Sequence, residues 1–164
     1  MFALQFAKLA GARVIATSSS DAKIERLVQL GADHTLNYKK APDWGKQARA
    51  LAQGKGVDLV VEVGGAGTLN ESIRATRIGG SISLIGVLAG PADNLRLPLV
   101  AMQQIRIQGV ACGSIEAFQE MANAVSLHRL RPIVDRVFPF TQVREAFAHL
   151  ASGQHFGKVA IAID

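Results

Sequence analysis

VDLVVEV, residues 57–63, is an almost continuously apolar run that ends at the glycine-rich turn of residues 64–67. Short apolar runs of this kind are typical of strands that lie in a parallel sheet and are buried on both faces. A second such run, SISLIGV at residues 81–87, follows a segment over residues 68–76 that has helical spacing. Two apolar strands joined through a helix predict a β-α-β unit with parallel strands.

The alternation of strands and helices continues on both sides of this unit. Further strands are predicted over residues 13–17, 35–38, 105–111 and 159–163, and further helices over residues 2–9, 21–30, 44–52, 115–127 and 143–152. Strands that alternate with helices favour an α/β fold with one open, doubly wound parallel sheet. A length of 164 residues fits one domain, so we expect residues 1–164 to form a single domain.

The composition excludes several classes of protein. With 49% apolar and 19% charged residues, the chain is expected to be globular and not disordered. Its single cysteine excludes a disulfide framework and a multi-cysteine zinc site, so no zinc is expected in this chain. We recognise no leader and no apolar run long enough to span a membrane, and expect a cytoplasmic protein. The net charge of +5 comes from scattered residues with only 5% aromatics, which argues against nucleic acid as a partner.

Hydroxyl and basic side chains follow the strand predicted over residues 13–17. The segment Thr17-Ser18-Ser19-Ser20 ends that strand, and Lys23 and Tyr38 lie shortly downstream. In a dinucleotide-binding α/β unit, the end of the second strand meets the adenosine ribose; an acid there bonds a free 2′-hydroxyl, whereas a basic residue accommodates a 2′-phosphate. Hydroxyls donate to phosphate oxygens, and Lys23 supplies a compact positive charge. The pattern therefore favours NADP(H) over NAD(H).

A structural interpretation of the same residues stays open. Ser-Ser-Ser-Asp is also common chemistry at a helix start, and a single lysine is often just a solvated charge. Asp21, the nearest acid, is expected to cap the following helix instead of reaching a ribose. The local pattern alone thus leaves a phosphate site and an ordinary helix start as alternatives.

No catalytic group stands out in the sequence. The four histidines lack metal-ligand spacing, and each is expected to be solvated or part of the core. Cys112 is expected to be a small buried residue, and Glu62, inside an apolar strand, either faces a cleft or is paired. The chain also lacks G-x-G-x-x-G, the turn that cradles a pyrophosphate. Residues 64–67 are interpreted as the floor of a cofactor cleft and not as a phosphate loop.

Four long stretches together resemble the medium-chain dehydrogenase/reductase superfamily, which includes zinc-type alcohol dehydrogenases and quinone oxidoreductases. They are FALQFAKLAGARVIATSSSDAKIERLVQLGADHTLNY, GVDLVVEVGGAGTLNESIRATRIGGSISLIGV, IRIQGVACGS and RPIVDRVFPFTQVREAFAHLASGQHFGKVAIAI. The resemblance implies that residues 1–164 are the C-terminal, nucleotide-binding domain of such an enzyme, with a Rossmann-like fold. It also implies that the usual first strand and glycine-rich loop are missing, together with an N-terminal catalytic domain of roughly 150 residues, a usual domain size.

The resemblance implies roles for individual residues. Lys23 and Tyr38 would hold the 2′-phosphate of NADP(H), assisted by Ser18 and Ser19. The other implied cofactor-binding residues are Val63, Gly64, Ile85, Gly86, Val87, Val110, Cys112 and Lys158. The implied reaction is hydride transfer between the nicotinamide and a carbonyl, an alcohol or an activated alkene. No catalytic or metal-binding residue is implied within the chain, and the isolated chain is expected to be inactive.

Two expectations concern assembly, and two alternative functions stay open. Ile105–Ala111 is expected to be an edge strand through which the chain forms a homodimer. Val159–Ile163 is expected to fill the place of the missing central strand, or to be exchanged between chains. The first alternative function is a non-enzymatic nucleotide-binding or interaction module on the same fold. The second, less favoured, is a nucleic-acid binder that uses the net charge.

Overall fold

The computed structural model describes residues 1–163, which form helices, strands and one short 3₁₀ turn at Phe140–Gln142. The helices are α1 (Phe2–Leu9), α2 (Asp21–Gln29), α3 (Trp44–Leu51), α4 (Leu69–Ala75), α5 (Leu97–Met102), α6 (Ile115–Leu127) and α7 (Val143–Ala151). The strands are β1 (Ile15–Ser18), β2 (His34–Asn37), β3 (Val57–Glu62), β4 (Thr76–Leu84), β5 (Arg106–Gly109), β6 (Val134–Pro139) and β7 (Lys158–Ala162).

All of the strand ladders in the described residues are parallel. Strand β1 pairs with β2, the middle strands have the order β3-β4-β5, and β6 pairs with β7. Parallel strands connected through helices are the predicted Rossmann-like α/β fold, which is confirmed. Within residues 1–163 the ladders make three short sheets and not one continuous sheet, because β1 does not pair with β3 and β6 pairs only with β7.

The chain divides into two compact units. One unit is Gly11–Cys112, which contains β1 to β5 and α2 to α5. The other combines Met1–Ala10 with the segment that begins at Gly113, and contains α1, α6, α7 and the sheet of β6 and β7. The residues predicted to bind a dinucleotide lie in the Gly11–Cys112 unit, except Lys158, which begins β7.

Two apolar clusters stabilise the Gly11–Cys112 unit. The first cluster joins α4 to β4 and to the residue before β5, and its buried members are Leu69, Ile73, Ile82 and Ile105. The second joins α3 to α4 through Trp44, Ala48 and Ala75, with Ile15, Leu36 and Val57 of β1, β2 and β3 packed against it. Each fully buried large apolar side chain stabilises the fold by about 1.5–3 kcal/mol. Because the second cluster contacts strands of two sheets, it ties the β1–β2 sheet to the β3–β4–β5 sheet.

One face of β3 is exposed, so the prediction that residues 57–63 are buried on both faces is wrong. The side chains of Leu59, Val61 and Val63 are exposed. Val60, on the opposite face, packs against the first cluster, and Glu62 on that face is buried. Successive side chains of a strand point to opposite faces of the sheet, and the first cluster covers only one face of β3. An apolar run shows that both faces could be buried, but it does not show that both are covered.

In the other unit, Asp135 connects strand, helix and loop. One of its carboxylate oxygens lies 2.8 Å from His149 Nε2 on α7, and the other accepts the N–H of Phe156 at 3.0 Å. The guanidinium of Arg136 stacks 4.5 Å from the ring centroid of Phe138, which is buried in the same sheet. These contacts fix β6 against α7 and against the turn that leads into β7.

The sheet of this unit corrects one expectation about assembly. Strand β6 has no counterpart among the predicted strands, and β7 pairs with it in parallel from Val134 opposite Lys158 to Pro139 opposite Ala162. The prediction that Val159–Ile163 fills the place of a central strand in its own chain is therefore wrong. Its exchange between chains stays a prediction.

Replacing Ile82 by alanine is expected to lower the free energy of unfolding by about 2–5 kcal/mol, because the fully buried side chain leaves a cavity in the first cluster. Ile78→Ala in the same strand is the matched control. Since Ile78 is 64% exposed, its truncation is expected to cost less than about 1 kcal/mol. Urea unfolding followed by circular dichroism measures both values. Equal losses in the two variants would contradict the assigned core.

Candidate functional site

The carboxyl ends of β1 and β2 bring several predicted site residues to one edge of their sheet. The two strands are in register with Ser18 opposite Asn37, and the Tyr38 N–H donates to the Ser18 carbonyl at 3.1 Å. Ser19 follows β1 directly, and Lys23 lies in the first turn of α2. Ser18, Ser19 and Lys23 are half-buried, and Tyr38 is partly exposed. This edge therefore carries two hydroxyls, a phenol and an ammonium group, all of which can donate to an anion.

The serine run also starts helix α2, as the structural interpretation of these residues predicts. Ser20 is the N-cap residue, and its Oγ accepts the N–H of Lys23 at 3.5 Å. The Ser18 Oγ accepts the N–H of Ser20 at 3.3 Å. Asp21 lies inside the first turn, so the expectation that Asp21 caps this helix is wrong: the cap is a serine hydroxyl, which is among the preferred N-caps. The helix start and the candidate anion site share this segment.

Asp21 is engaged by residues that follow β2. Lys40 Nζ lies 2.5 Å from one carboxylate oxygen of Asp21, and the side-chain amide of Asn37 donates to the other at 2.8 Å. The hydrogen bond from Lys40, followed by that from Asn37, holds the pKa of the Asp21 carboxyl below its ordinary value. The acid nearest to this edge is thus already bonded to a cation and an amide of its own chain.

Glu62 ends β3 as a buried carboxylate, 4% exposed. Its Oε1 accepts the N–H groups of Gly64 at 2.7 Å and Gly65 at 3.1 Å, and lies 2.8 Å from the hydroxyl of Thr68. Its Oε2 forms a short hydrogen bond with the hydroxyl of Ser72 on α4. The sequence left open whether Glu62 faces a cleft or is paired, and the structure shows that it is paired.

Backbone hydrogen bonds join the loops that follow β3 and β4. We call residues 63–67 the β3 loop and residues 85–90 the β4 loop. The N–H groups of Ile85, Leu88 and Ala89 donate to the carbonyls of Glu62, Val63 and Gly64, at 2.8, 3.2 and 2.7 Å respectively. The approach is close enough that a Cβ at Gly86 would lie 2.8 Å from the Val63 carbonyl oxygen. The predicted residues in these loops, Val63, Gly64, Ile85, Gly86 and Val87, are therefore brought together.

An apolar cavity of about 380 Å³ opens at the carboxyl ends of β4 and β5. It is lined by residues 84–87 and 109–111, so it brings the β4 loop next to Val110. The cavity is wide open to solvent, and its lining is mainly apolar, as in most ligand pockets. Cys112 lies just beyond the lining residues and is an exposed free thiol, so the expectation that it is buried is wrong.

Lys158 lies in the other unit. The ammonium group of Lys158 is 5.6 Å from the ring centroid of Phe2, and the backbone N–H of Lys158 donates to the Ile133 carbonyl at 2.8 Å. Within residues 1–163, no group of three or more His, Cys, Asp and Glu side chains is arranged to hold a metal ion. No helix in that part of the chain is long and apolar enough to cross a membrane.

Sequence reasoning missed what holds the β3 loop. Thr68 and Ser72, which bond Glu62, lie on the far side of the glycine-rich turn, and Asp93 accepts the N–H of Gly67 at 2.9 Å. The available signal is the lone acid inside an apolar strand, because a buried carboxylate requires donors. Which residues supply those donors depends on the path of the loop, and the sequence pattern does not give that path.

Residues 1–127 match the family described as zinc-binding dehydrogenase. A zinc-type alcohol dehydrogenase-like protein of Schizosaccharomyces pombe is 43% identical over 99% of this chain and 48% of its own length. The L-threonine 3-dehydrogenase of Symbiobacterium thermophilum is 31% identical over 96% of this chain and 46% of its own length. The chain thus spans about half the length of the curated relatives it matches.

Solved structures of similar proteins also align with almost the whole of this chain. A putative alcohol dehydrogenase from Sinorhizobium meliloti aligns with a TM-score of 0.92 and 39% identity, over 99% of this chain and 47% of that one. A structure described as an NAD-dependent alcohol dehydrogenase aligns with a TM-score of 0.87 and 36% identity, over 99% of this chain and 47% of that one.

Lys40→Ala is expected to raise the pKa of the Asp21 carboxyl toward its ordinary value of 3.8, because it removes the larger of the two interactions that lower this pKa. The folded-state pKa is depressed, so the stabilisation from this contact is present above the ordinary pKa and is lost as pH falls through the folded-state value. Carboxyl carbon NMR during a pH titration measures the change. Lys39→Ala is the neighbouring control, and an equal shift in both variants would contradict the specific contact.

Proposed function

The chain belongs to the zinc-binding dehydrogenase family, and on this basis we propose that it binds a nicotinamide dinucleotide, with NADP(H) preferred over NAD(H). The observation that carries the preference is the edge at the ends of β1 and β2. There Ser18, Ser19, Lys23 and Tyr38 supply donors, while Asp21 is bonded to its own chain. An acid that accepts from a ribose 2′-hydroxyl selects NAD(H), and hydroxyls with a lysine suit a 2′-phosphate.

The two ends of such a dinucleotide fit different features of the Gly11–Cys112 unit. The adenosine phosphate would meet the donor edge of Ser18, Ser19, Lys23 and Tyr38. The nicotinamide ring would enter the apolar cavity beyond β4 and β5, which supports the assignment because its walls offer mainly apolar side chains. The residues proposed to contact this half are Val63, Gly64, Ile85, Gly86, Val87, Val110 and Cys112. Lys158 lies in the other unit, and its contact with the cofactor stays a prediction.

The proposed reaction is hydride transfer to or from a carbonyl, an alcohol or an activated alkene. When bound, the nicotinamide supplies the hydride chemistry, and the residues of this chain bind and orient it. Because the chain spans about half the length of its relatives, we propose that the 164 residues bind the dinucleotide but do not turn over a substrate by themselves. One similar solved structure is described as that of an NAD-dependent alcohol dehydrogenase, so the test of the preference compares NADPH with NADH.

Calorimetric titration with NADPH, NADH and adenosine monophosphate tests the proposal. NADPH is expected to bind at least about tenfold more tightly than NADH, since a charge-assisted hydrogen bond contributes roughly 1.5–3 kcal/mol. Adenosine monophosphate that binds as tightly as NADPH would favour the non-enzymatic nucleotide-binding module. Absence of binding by all three ligands would overturn the proposed function.

Lys23→Ala is expected to weaken NADPH binding by about tenfold and to leave NADH binding unchanged, because only the 2′-phosphate uses the added charge. Lys46→Ala is the matched control, since Lys46 is an exposed lysine on α3 and its loss changes the net charge equally. The same calorimetric titrations measure both variants. If Lys23→Ala weakens both dinucleotides equally, Lys23 supports the fold of the edge instead of reading the phosphate.

We also propose a homodimer formed through β5 and its flanks, Ile105–Ala111. Strand β5 pairs with β4 on one side and is the edge of its sheet. The Val110 N–H donates to Leu84, so the alternate residues Ile107 and Gly109 direct their N–H groups to the free edge. Such an edge can pair with a second chain.

Gly109→Pro is expected to shift the dimer toward monomer by at least about tenfold in dissociation constant, because it removes an outward N–H from each copy of the edge. Sedimentation velocity over a range of concentrations measures the equilibrium, and circular dichroism checks that the variant is folded. A monomeric parent chain at about 100 μM would contradict a dimer of ordinary micromolar strength.

A further inference from the structure

Glu62 lies beneath both loops that the proposed function assigns to the dinucleotide. Its side chain accepts from Gly64 and Gly65 of the β3 loop, and its backbone carbonyl accepts the N–H of Ile85 at 2.8 Å and of Gly86 at 3.3 Å in the β4 loop. One residue therefore bonds both loops close to the ends of the strands from which they leave. The donors in both sets of bonds are backbone N–H groups. A change in these bonds therefore has to move the backbone of the loops and cannot be absorbed by a side-chain rotation.

The buried carboxylate of Glu62 supplies hydrogen-bond acceptors to the loop, which an apolar side chain at the same position could not do. Burying a carboxylate is unfavourable unless donors surround it, and well-packed apolar residues often replace buried charged groups without loss of stability. An apolar residue at position 62 would, however, leave the N–H groups of Gly64 and Gly65 without their acceptor. Gly65 is buried, so its N–H could not turn to bulk water without moving the loop.

A shift at Gly64 or Gly65 would not stay local. Val63 and Gly64 accept N–H groups from Leu88 and Ala89, and the Ala66 N–H donates to the Gly90 carbonyl at 3.2 Å. A Cβ at Gly65 would lie 2.9 Å from that same Gly90 oxygen, so the two loops are already in close contact. The orientation of the β3 loop is thus transmitted to the β4 loop, which lines the apolar cavity.

We propose that Glu62 is a positioning residue for the dinucleotide: its carboxylate fixes the backbone of residues 63–65, and through it the β4 loop, in the orientation that faces the cofactor. This inference rests on the proposed function, because the loops matter for binding only if a dinucleotide lies along them. It assigns to Glu62 no contact with the dinucleotide and no part in the chemistry.

The test compares Glu62→Ala and Glu62→Gln with Ser72→Ala, all in the full chain. Alanine removes both oxygens, glutamine keeps one neutral acceptor for the glycine N–H groups, and Ser72→Ala removes only the partner of the other oxygen. Two quantities are measured: the calorimetric dissociation constant for NADPH, and the amide hydrogen-exchange rates of Gly64 and Gly65 by NMR. The amides of Val60 and Ile82 report on the surrounding strands.

The expected result is a graded series. Glu62→Ala raises the NADPH dissociation constant and the exchange rates at Gly64 and Gly65 by about tenfold or more, and Glu62→Gln by a smaller factor, since hydrogen bonds to a charged acceptor are about twice as strong. Val60 and Ile82 keep their protection in both variants. Ser72→Ala lowers the melting temperature but leaves NADPH binding and the two glycine amides within about twofold, because Oε1 keeps its partners.

Other outcomes overturn the inference. If the Glu62 variants lose NADPH affinity only as much as Ser72→Ala does, with equal losses in melting temperature, Glu62 serves stability alone. If Glu62→Ala does not fold, Glu62→Gln decides: unchanged exchange at Gly64 and Gly65 then contradicts the positioning role. Failure of the parent chain to bind NADPH or NADH instead overturns the proposed function, and the exchange rates still show whether Glu62 orders the loops.

Discussion

A carboxylate buried at the end of β3 has to be surrounded by donors, and meeting this requirement shapes the region around the candidate site. The donors to Glu62 come from two glycine N–H groups and from the hydroxyls of Thr68 and Ser72, so the turn after β3 and the first turns of α4 converge on one group. Helix α4 in turn carries the buried residues of the first cluster. The polar contact and the apolar core thus fix the same helix from two sides.

A second polar contact completes the arrangement at the other end of α4. The Arg49 guanidinium donates to the carbonyls of Arg74 at 2.9 Å and Thr76 at 2.5 Å, and to the side-chain carbonyl of Gln103 at 2.9 Å. Arginine commonly satisfies the last carbonyls of a helix, which have no partner within it. Because Arg49 lies on α3, this contact reinforces the second cluster, in which α3 and α4 contact strands of both sheets. Helices α3 and α4 therefore support both the edge at the ends of β1 and β2 and the apolar cavity at the ends of β4 and β5.

The sequence pattern predicted most strands and helices of the Gly11–Cys112 unit, because apolar runs and helix stops report local geometry directly, but it did not predict α5. It also grouped Ser18 and Tyr38 correctly at one edge, since parallel strands end on the same side. It missed β6, Val134–Pro139, because that strand mixes charged side chains with apolar ones and ends in proline; the buried Phe138 is packed beneath Arg136. Exposure of one face of β3 and the partners of Glu62 depend on which elements pack together, and the pattern contains no such information.

Under the proposed function, the two halves of the site differ in the kind of group that forms them. Side chains form the donor edge at Ser18, Lys23 and Tyr38, so single substitutions there can change which ribose is accepted without moving the backbone. Backbone groups and glycines form the crossing of the β3 and β4 loops, where a Cβ at Gly86 would lie 2.8 Å from a carbonyl oxygen. The crossing of the two loops therefore tolerates little side-chain variation. Its backbone geometry depends instead on the hydrogen bonds to Glu62. Selectivity and orientation can therefore change independently in this fold.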